Sequence, residues 1–376
     1  MVAVKPLGDL CRIILGQSPA SSSYNQSGEG LPFFQGNADF GVDHPIARTW
    51  CTEPKKTAQS GDLLISVRAP IGSINIADCE CCIGRGIASL RVNDNVLDMD
   101  YLRQCLIAKS ADLAALGTGS TFTAVGKAVL NSFEIPIYEI EEQRRIAQHL
   151  VEIIRLRRRA EQMLAKADEL IQSRFVEMFA SDKCKEVLSS ELMPNMRNGV
   201  SPSKRGTFSA KVLILSAITQ GDFDDSAWKE GVFNELPSPD KRVSSSDFYM
   251  CRGNGNKGLV GAGAYADRDY PDLVFPDTVI AGRVDTSKVC MPYLFHVWRH
   301  PAVRKQIESM ARTTNGTFKV NQDILSSIKI PLPSLDLQNE FAEFVTAVES
   351  LKSTTWQRLD RLNTLYDSLA QQYFAQ

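Results

Sequence analysis

Residues 170–180 read Leu170-Ile171-Gln172-Ser173-Arg174-Phe175-Val176-Glu177-Met178-Phe179-Ala180, and the pattern returns as Leu365-Tyr366-Asp367-Ser368-Leu369-Ala370-Gln371-Gln372-Tyr373-Phe374-Ala375. The two copies are about 195 residues apart. At the same offset, Gln143 recurs as Gln338. A repeat of this period predicts two related halves, each consisting of a variable body followed by a similar tail.

Both tails are predicted to be long helices. Segments 140–180 and 335–376 contain no Gly and no Pro, and prolines stand just before each start. Apolar residues follow alternating steps of three and four, which is typical of a coiled-coil seam. We assign to this seam Ile146, Leu150, Ile153, Leu164, Ile171, Phe341, Val345, Val348, Leu359, Leu362 and Tyr366. A helix of ~40 residues is about 60 Å long, so we expect the two helices to pair antiparallel with each other; packing on their own domains is the alternative.

Composition places the chain among folded globular proteins. It has 376 residues, of which 43% are hydrophobic and 23% charged, and a formal net charge of -2. This length favours two or three domains. An odd number of cysteines, with Cys81 beside Cys82, favours free thiols in a reducing cytoplasm. No apolar run of ~18 residues and no secretion signal is found, so we expect a cytoplasmic protein without a membrane span.

The bodies combine short strand patterns with short helices. Gly61-Asp62-Leu63-Leu64-Ile65-Ser66 is typical of a turn that leads into a strand. We therefore predict an α+β fold with two similar α+β domains, separated by two long helices and related by a pseudo-twofold internal repeat. The predicted boundaries are 1–138 for the first domain, 139–180 for the central helix, 181–334 for the second domain and 335–376 for the C-terminal helix.

Several local motifs occur in a fixed order. The first two are Leu7-Gly8-Asp9-Leu10 and the Gly61 to Ser66 stretch followed by Pro70-Ile71-Gly72. Two Thr-Phe turns, Gly119-Ser120-Thr121-Phe122 and Gly316-Thr317-Phe318, occupy matching positions in the two halves. Glu142-Gln143-Arg144-Arg145-Ile146 stands at the start of the first long helix. In these motifs and their repetition, the chain resembles the specificity subunit of Type I restriction-modification systems over nearly its whole length. The second half departs from the pattern, since Leu188-Ser189-Ser190-Glu191-Leu192 stands where the Leu-Gly-Asp opening is expected.

The resemblance implies a non-catalytic subunit with two target-recognition domains, each reading half of a split site on double-stranded DNA. It also implies that the paired helices dock methyltransferase subunits, two of them by the symmetry of the repeat, and that restriction subunits with nuclease and translocase activity join the full complex. No cofactor is implied for this chain. S-adenosylmethionine, ATP and magnesium would belong to the partner subunits.

Motifs that would make the chain itself an enzyme or a metalloprotein are weak. Gly253-Asn254-Gly255-Asn256-Lys257-Gly258 matches the dinucleotide pattern in letters, but no βαβ unit surrounds it. The chain has no Pro-Pro pair to hold a target amine, and Asp285 and Lys288 are one residue too far apart for a nuclease site. His296 and His300 could share a helix face but lack further ligands, so we predict no metal site. Two alternatives stay open, a coiled-coil scaffold that does not read DNA and a self-contained DNA-modifying enzyme.

Candidate DNA-reading residues are basic or amide side chains beside glycine-rich turns. Arg can form two hydrogen bonds with guanine, and Asn or Gln can form two with adenine. Glycine lets the backbone approach a phosphate closely. In the first body we nominate Gln35, Asn37, Arg68, Arg85, Ser120, Thr121 and Lys127. In the second body we nominate Lys204, Arg205, Arg252, Asn254, Asn256, Lys257, Arg283, Thr317 and Lys319. For each of these residues, a solvated surface position is the alternative.

Overall fold

The computed structural model describes residues 2–118, 123–179, 184–203, 205–314 and 316–375. The chain divides into two compact units. The first comprises Met1–Met163 and Thr355–Gln376, and the second comprises Leu164–Thr354. Each long helix therefore contributes one half to each unit, whereas the predicted boundaries treat the helices as separate segments. Three of the nominated residues lie outside the described part of the chain, namely Ser120, Thr121 and Lys204.

The first unit is built from short strands and helices. Its strands are β1 (Ala3–Pro6), β2 (Cys11–Leu15), β3 (Tyr24–Asn25), β4 (Leu31–Phe34), β5 (Trp50–Cys51), β6 (Thr57–Ala58), β7 (Leu63–Ser66), β8 (Ile74–Ile76), β9 (Cys81–Ile83), β10 (Ile87–Val92) and β11 (Glu134–Ile137). Its helices are α1 (Leu7–Leu10), α2 (Met99–Ala108), α3 (Ser110–Ala115), α4 (Lys127–Ser132), the first part of α5 (Ile140–Phe179) and the last part of α11 (Leu335–Phe374).

Three sheets organise the first unit. Strand β1 pairs antiparallel with β11, a four-stranded antiparallel sheet has the order β2-β10-β7-β8, and a five-stranded sheet has the order β3-β5-β4-β9-β6. The continuous apolar run Leu63-Leu64-Ile65 suits the central position of β7, where both faces of the strand are buried. Helix α2 begins where the Asp98 carboxylate accepts the N–H of Tyr101 at 2.9 Å.

The second unit contains the remaining elements. Its strands are β12 (Lys185–Leu188), β13 (Asn195–Asn198), β14 (Phe208–Leu213), β15 (Trp228–Phe233), β16 (Arg242–Val243), β17 (Asp247–Cys251), β18 (Gly253–Asn254), β19 (Gly263–Tyr265), β20 (Tyr270–Val274), β21 (Val279–Arg283), β22 (Arg312–Thr314), β23 (Thr317–Lys319) and β24 (Lys329–Leu332). Its helices are the last part of α5, α6 (Ser189–Leu192), α7 (Ser216–Thr219), α8 (Met291–Arg299), α9 (Pro301–Met310), α10 (Gln322–Ser326) and the first part of α11.

The two units share one framework. In each, the first strand pairs antiparallel with the strand that precedes a long helix, as β1 with β11 and β12 with β24. A four-stranded sheet follows in the same connectivity, β2-β10-β7-β8 in the first unit and β13-β21-β17-β19 in the second. The units differ in their other sheets, which are β15-β14-β20-β16 and β18-β23-β22 in the second unit. The prediction of a mixed α and β fold is confirmed.

Within the first unit, the start of α5 packs beside the end of α11. Ile146, Leu150 and Ile153 join a core that also holds Tyr366 and Phe374. This packing sets the two helix halves antiparallel, because early residues of one helix meet late residues of the other. Tyr366 also donates a hydrogen bond to the side-chain oxygen of Gln104, which is buried in α2, at 2.9 Å.

Within the second unit, the end of α5 packs beside the start of α11. The ring of Phe175 lies 5.5 Å from that of Phe341, and Lys352 makes an ion pair with Asp168 at 2.8 Å. The helix halves are antiparallel here too. All the nominated seam residues are buried except Leu362, which is half-buried.

A buried glutamine near the start of each long helix bonds the helix to its body. Gln143 donates to the carbonyl oxygens of Val96 at 3.0 Å and Tyr138 at 2.8 Å, and accepts the N–H of Asp98 at 2.9 Å. Gln338 likewise donates to two carbonyl oxygens and accepts one backbone N–H. Both side chains are 0% exposed. The repeated glutamine therefore serves the fold.

Replacing Gln143 with alanine is expected to lower the free energy of unfolding by about 3 kcal/mol, because three buried backbone groups lose their hydrogen-bond partner. Gln148, exposed on the same helix, is the matched control, and Gln148→Ala is expected to cost less than about 0.5 kcal/mol. Urea denaturation of the two variants measures the difference. Equal stability of the two variants would contradict the anchoring role of Gln143.

Candidate nucleic-acid interface

Four nominated residues of the first unit meet around one concave surface. Gln35, Asn37, Arg68 and Arg85 line a depression of about 170 Å³. The other residues that line it are Ser18, Gly36, Ala69 and Gly86. Separate loops therefore present two guanidinium groups and two amides toward one shared space, which we call the reading depression.

The loop after β4 and the turn between β9 and β10 bring these side chains together. The N–H of Gly84 donates to the carbonyl oxygen of Phe34 at 2.8 Å, and the N–H of Gly86 donates to that of Gln35 at 3.1 Å. A Cβ atom at Gly86 would lie 2.2 Å from the Gln35 carbonyl oxygen, so this approach requires glycine. Arg85 stands between the two glycines and projects from the turn, where it is exposed.

The charge of the reading depression suits an electronegative ligand. Among the described residues, no carboxylate forms an ion pair with Arg68 or Arg85. Guanidinium groups only donate hydrogen bonds, whereas the amides of Gln35 and Asn37 both donate and accept. These four side chains can form hydrogen bonds with the acceptor-rich edge of guanine, with the acceptor and the donor that adenine presents in the major groove, or with a phosphate oxygen.

The residues that follow the Gly-rich turn of each half make equivalent backbone contacts. In the first unit, the N–H of Val125 donates to the carbonyl oxygen of Val67 at 2.9 Å, at the end of β7. In the second unit, the N–H of Val320 donates to that of Arg252 at 2.9 Å, at the end of β17. Lys127, exposed, is the first residue of α4 just beyond the first turn. The sequence repeat is thus matched by equivalent backbone contacts of Val125 and Val320.

Several nominated residues of the second unit gather on the small sheet β18-β23-β22. Asn254 pairs with Phe318 across two strands, and the ammonium of Lys257 lies 5.9 Å from the centre of the Phe318 ring. Thr317 and Lys319 are the neighbours of Phe318 in β23, so their side chains project from the opposite face of the strand. One amide and one basic side chain therefore lie beside the aromatic ring, while a hydroxyl and a second basic side chain lie on the other face of β23.

Two more nominated residues near this sheet form hydrogen bonds within the chain. The guanidinium of Arg252 donates to the carbonyl oxygen of Asp277 at 3.2 Å. The side-chain oxygen of Asn256 accepts the N–H of Gly258 at 3.0 Å and so caps a turn. These bonds leave both residues at the surface but give them a structural function as well.

Arg283 forms an ion pair with a buried carboxylate, and both units contain such a pair. Its Nε donates to Asp247 at 2.7 Å, and that carboxylate is 0% exposed. In the first unit, Arg91 donates to Asp62 at 2.7 Å from the corresponding strands β10 and β7. The aspartate of the Gly-Asp-Leu-Leu motif is thus a structural anchor. Arg205 is exposed, and no described contact joins it to the sheet β18-β23-β22.

The reading depression contains one polar side chain that the sequence did not suggest. Ser18 accepts the N–H of Arg85 at 3.3 Å through its hydroxyl oxygen. The only sign of it in the sequence is that Ser18 stands two residues after Gly16. At Gly16 the fold has no room for a Cβ atom. Glycine at a crowded position followed by a hydroxyl residue was therefore the available clue.

The residues weighed as metal ligands pack and cap instead. His296 lies against Phe341 with ring centres 5.2 Å apart, and burial lowers its pKa to about 4. His300 accepts the N–H of Ala302 at the start of α9. Burial raises the pKa of the free thiols of Cys81 and Cys82 to about 12.

The described residues contain neither a metal-binding cluster nor a membrane-spanning helix. No group of three or more His, Cys, Asp and Glu residues in that part of the chain is arranged to hold a metal ion. In the same residues, no helix combines the length and the apolar character that a membrane span needs.

Comparisons with known proteins give these features a family context. Residues 2–165 match the Type I restriction modification DNA specificity domain. Over 165 residues the chain is 40% identical to a protein described as the type I restriction enzyme MjaX specificity subunit of Methanocaldococcus jannaschii. That alignment covers 43% of this chain and 39% of the relative, so the chain spans about two-fifths of the relative's length.

Solved structures are also similar to this chain. The S subunit of a Type I restriction-modification system from M. genitalium matches with a TM-score of 0.64 at 16% identity, covering 100% of this chain and 96% of that one, and shows a shared fold. The HsdS subunit from Thermoanaerobacter tengcongensis is 48% identical over 40% of this chain and 36% of its own, with a TM-score of 0.37. The predicted resemblance to Type I specificity subunits is confirmed by these sequence matches, which lie in the first half of the chain.

Proposed function

We propose that the chain is the DNA sequence-specificity subunit of a Type I restriction-modification complex and reads a bipartite site on duplex DNA. In this proposal the two compact units are target-recognition domains related by a pseudo-twofold repeat. Helices α5 and α11 form the antiparallel coiled coil that joins them. The chain itself catalyses no reaction and supplies recognition to its partners.

The reading depression is the observation that carries this proposal. It brings Gln35, Asn37, Arg68 and Arg85 together from loops far apart in the sequence, and its arginines have no described carboxylate partner. Direct reading of base pairs needs such convergent donors and acceptors on a surface open to the groove. In the second unit, Asn254 and Lys257 beside Phe318 are the counterpart.

The partners in this proposal are two adenine methyltransferase subunits and the restriction subunits of the full complex. S-adenosylmethionine, ATP and magnesium bind to those subunits, and the cytoplasm, where the DNA lies, is the place of action. An exposed apolar stripe on α5 supports docking of another protein. Leu156 and Met163, one heptad apart, are 38% and 46% exposed.

Selective methylation of DNA tests the proposed function. The full chain is expressed with its methyltransferase subunits in a host that lacks adenine methylation, and the methylated sites are mapped. We expect one motif with two short specified parts and an unspecified gap of fixed length. The control omits the chain and is expected to give no motif. A motif that does not depend on the chain would overturn the proposal.

The two alternatives make different predictions for the same material. A coiled-coil scaffold would enrich no sequence from a library of random duplexes, even with the methyltransferase subunits present. A self-contained modifying enzyme would methylate DNA without those subunits when supplied with S-adenosylmethionine. We expect enrichment of a bipartite sequence in the first assay and no methyl transfer in the second.

A further inference from the structure

A carboxylate of the first unit joins the loop that carries two of the reading residues to two helices. Asp43 accepts two hydrogen bonds from the guanidinium of Arg158 in α5, at 2.7 and 3.0 Å, and one from Arg103 in α2, at 2.6 Å. The Asp43 side chain is 32% exposed and that of Arg103 only 17%. Hydrogen bonds from Arg158, then from Arg103, hold the pKa of Asp43 well below its ordinary value, so the carboxylate stays charged at neutral pH.

The backbone around Asp43 is bonded to β8. The carbonyl oxygen of Asp43 accepts the N–H of Ile76 at 2.9 Å. The buried side chain of Asn75 accepts the N–H of Gly41 at 3.0 Å and donates to the carbonyl oxygen of Gly41 at 3.1 Å. These hydrogen bonds leave the loop backbone little conformational freedom around Asp43. The ion pairs of the Asp43 carboxylate therefore help to fix the position of the loop.

The other end of the same loop lies in the reading depression. The carboxylate of Asp39 accepts the N–H of Gln35 at 2.7 Å, and its carbonyl oxygen accepts the N–H of Ile46 at 2.8 Å. Asn37 lies between them in a short helical turn. One internally bonded loop thus connects Asp43, at the helices, with Gln35 and Asn37, at the depression.

We propose that Asp43 is a positioning residue for sequence reading: its ion pairs with Arg158 and Arg103 fix the loop so that Gln35 and Asn37 meet the bases in one orientation. Reading by hydrogen bonds depends on small distances and angles, so a loop that is already ordered discriminates better than one that DNA must order. The proposal deepens the proposed function and rests on it.

Partial exposure separates this positioning effect from general stability. Ion pairs in contact with water contribute little to the free energy of unfolding, even when their geometry is good. Loss of the Asp43 charge should therefore change reading while the fold persists. Asp78, which is exposed on the same part of the first unit, offers the same change of charge without contacts to α2 or α5 among the described residues.

The test compares Asp43→Asn with Asp78→Asn in the full chain, purified with its methyltransferase subunits. Binding is measured to the cognate duplex and to duplexes with one base pair changed in either half-site. For Asp43→Asn we expect discrimination at the half-site read by the first unit to fall about tenfold, with unchanged discrimination at the other half-site and an unchanged melting temperature. Asp78→Asn is expected to behave as the native chain.

A double-variant cycle adds a second readout. Arg158→Ala should reproduce the loss, and adding it to Asp43→Asn should cause no further loss, because the two residues act as one pair. Full discrimination by Asp43→Asn, or equal losses at both half-sites, would overturn the positioning role and leave the proposed function standing. A native complex that discriminates at neither half-site would overturn both.

Discussion

Replacing Arg68 and Arg85 together with alanine is expected to weaken binding of the cognate duplex by about a hundredfold or more, because each guanidinium contact to a base or phosphate contributes about 1–3 kcal/mol. Both side chains are exposed in the reading depression, and no described carboxylate competes for them. The measurement is a titration of labelled duplex with the chain and its methyltransferase subunits at one fixed salt concentration, since phosphate contacts depend on salt.

Single variants distinguish a base contact from a phosphate contact, and a surface variant serves as the control. If one arginine reads a base, its alanine variant should tolerate a change at one position of the half-site, whereas loss of a phosphate contact should weaken all sequences alike. Arg12 is exposed on β2 and is not among the residues that line the depression, so Arg12→Ala should bind within about twofold of the native chain. Equal effects of Arg12→Ala and the double variant would exclude the depression as the reading site.

Shortening both long helices is expected to change the length of the unread gap. Each helix contributes to both units, so removing four residues near Ala160 and four near Thr355 takes out about 6 Å of helix and turns the remainder by about 40°. Reading centres about one turn of DNA apart, with three or four base pairs each, imply a native gap of about six or seven base pairs. We expect the gap to shorten by one or two base pairs.

The methylated motif of the native and shortened chains measures this change, with the same methyltransferase subunits in both cases. Shortening α5 alone is the matched control. It should reduce assembly rather than yield a new motif, because the seam partners on α11 are then out of register. A gap of unchanged length after both helices are shortened would show that the helices do not set the spacing.

The long helices could be predicted from the sequence because their signals are local. The predicted segments 140–180 and 335–376 compare with Ile140–Phe179 and Leu335–Phe374 in the structure. Absence of Gly and Pro, a preceding proline and a seam of period 3.5 are all visible without tertiary information. Short strands in the bodies lack such signals, since two to six residues cannot establish a period.

The candidate site could be predicted only in part, because its assembly depends on contacts between distant segments. A basic residue beside glycine is visible in the sequence, as at Arg85, and two of the nominated arginines and two of the nominated amides do meet in the depression. Arg283 has the same appearance, yet it stands opposite the buried Asp247 in the register of β17 and β21. Only strand pairing distinguishes an arginine that faces a ligand from one that holds a buried carboxylate.

The place of the last helical turn has a consequence for biosynthesis. Phe374 is 1% exposed, and its ring lies 5.5 Å from that of Tyr101 in the core of the first unit. A domain built from one continuous segment can finish folding while the ribosome is still translating the next one. Here the core of the first unit can be completed only after Phe374 has emerged from the ribosome, so the last step in folding the first unit follows the synthesis of the second.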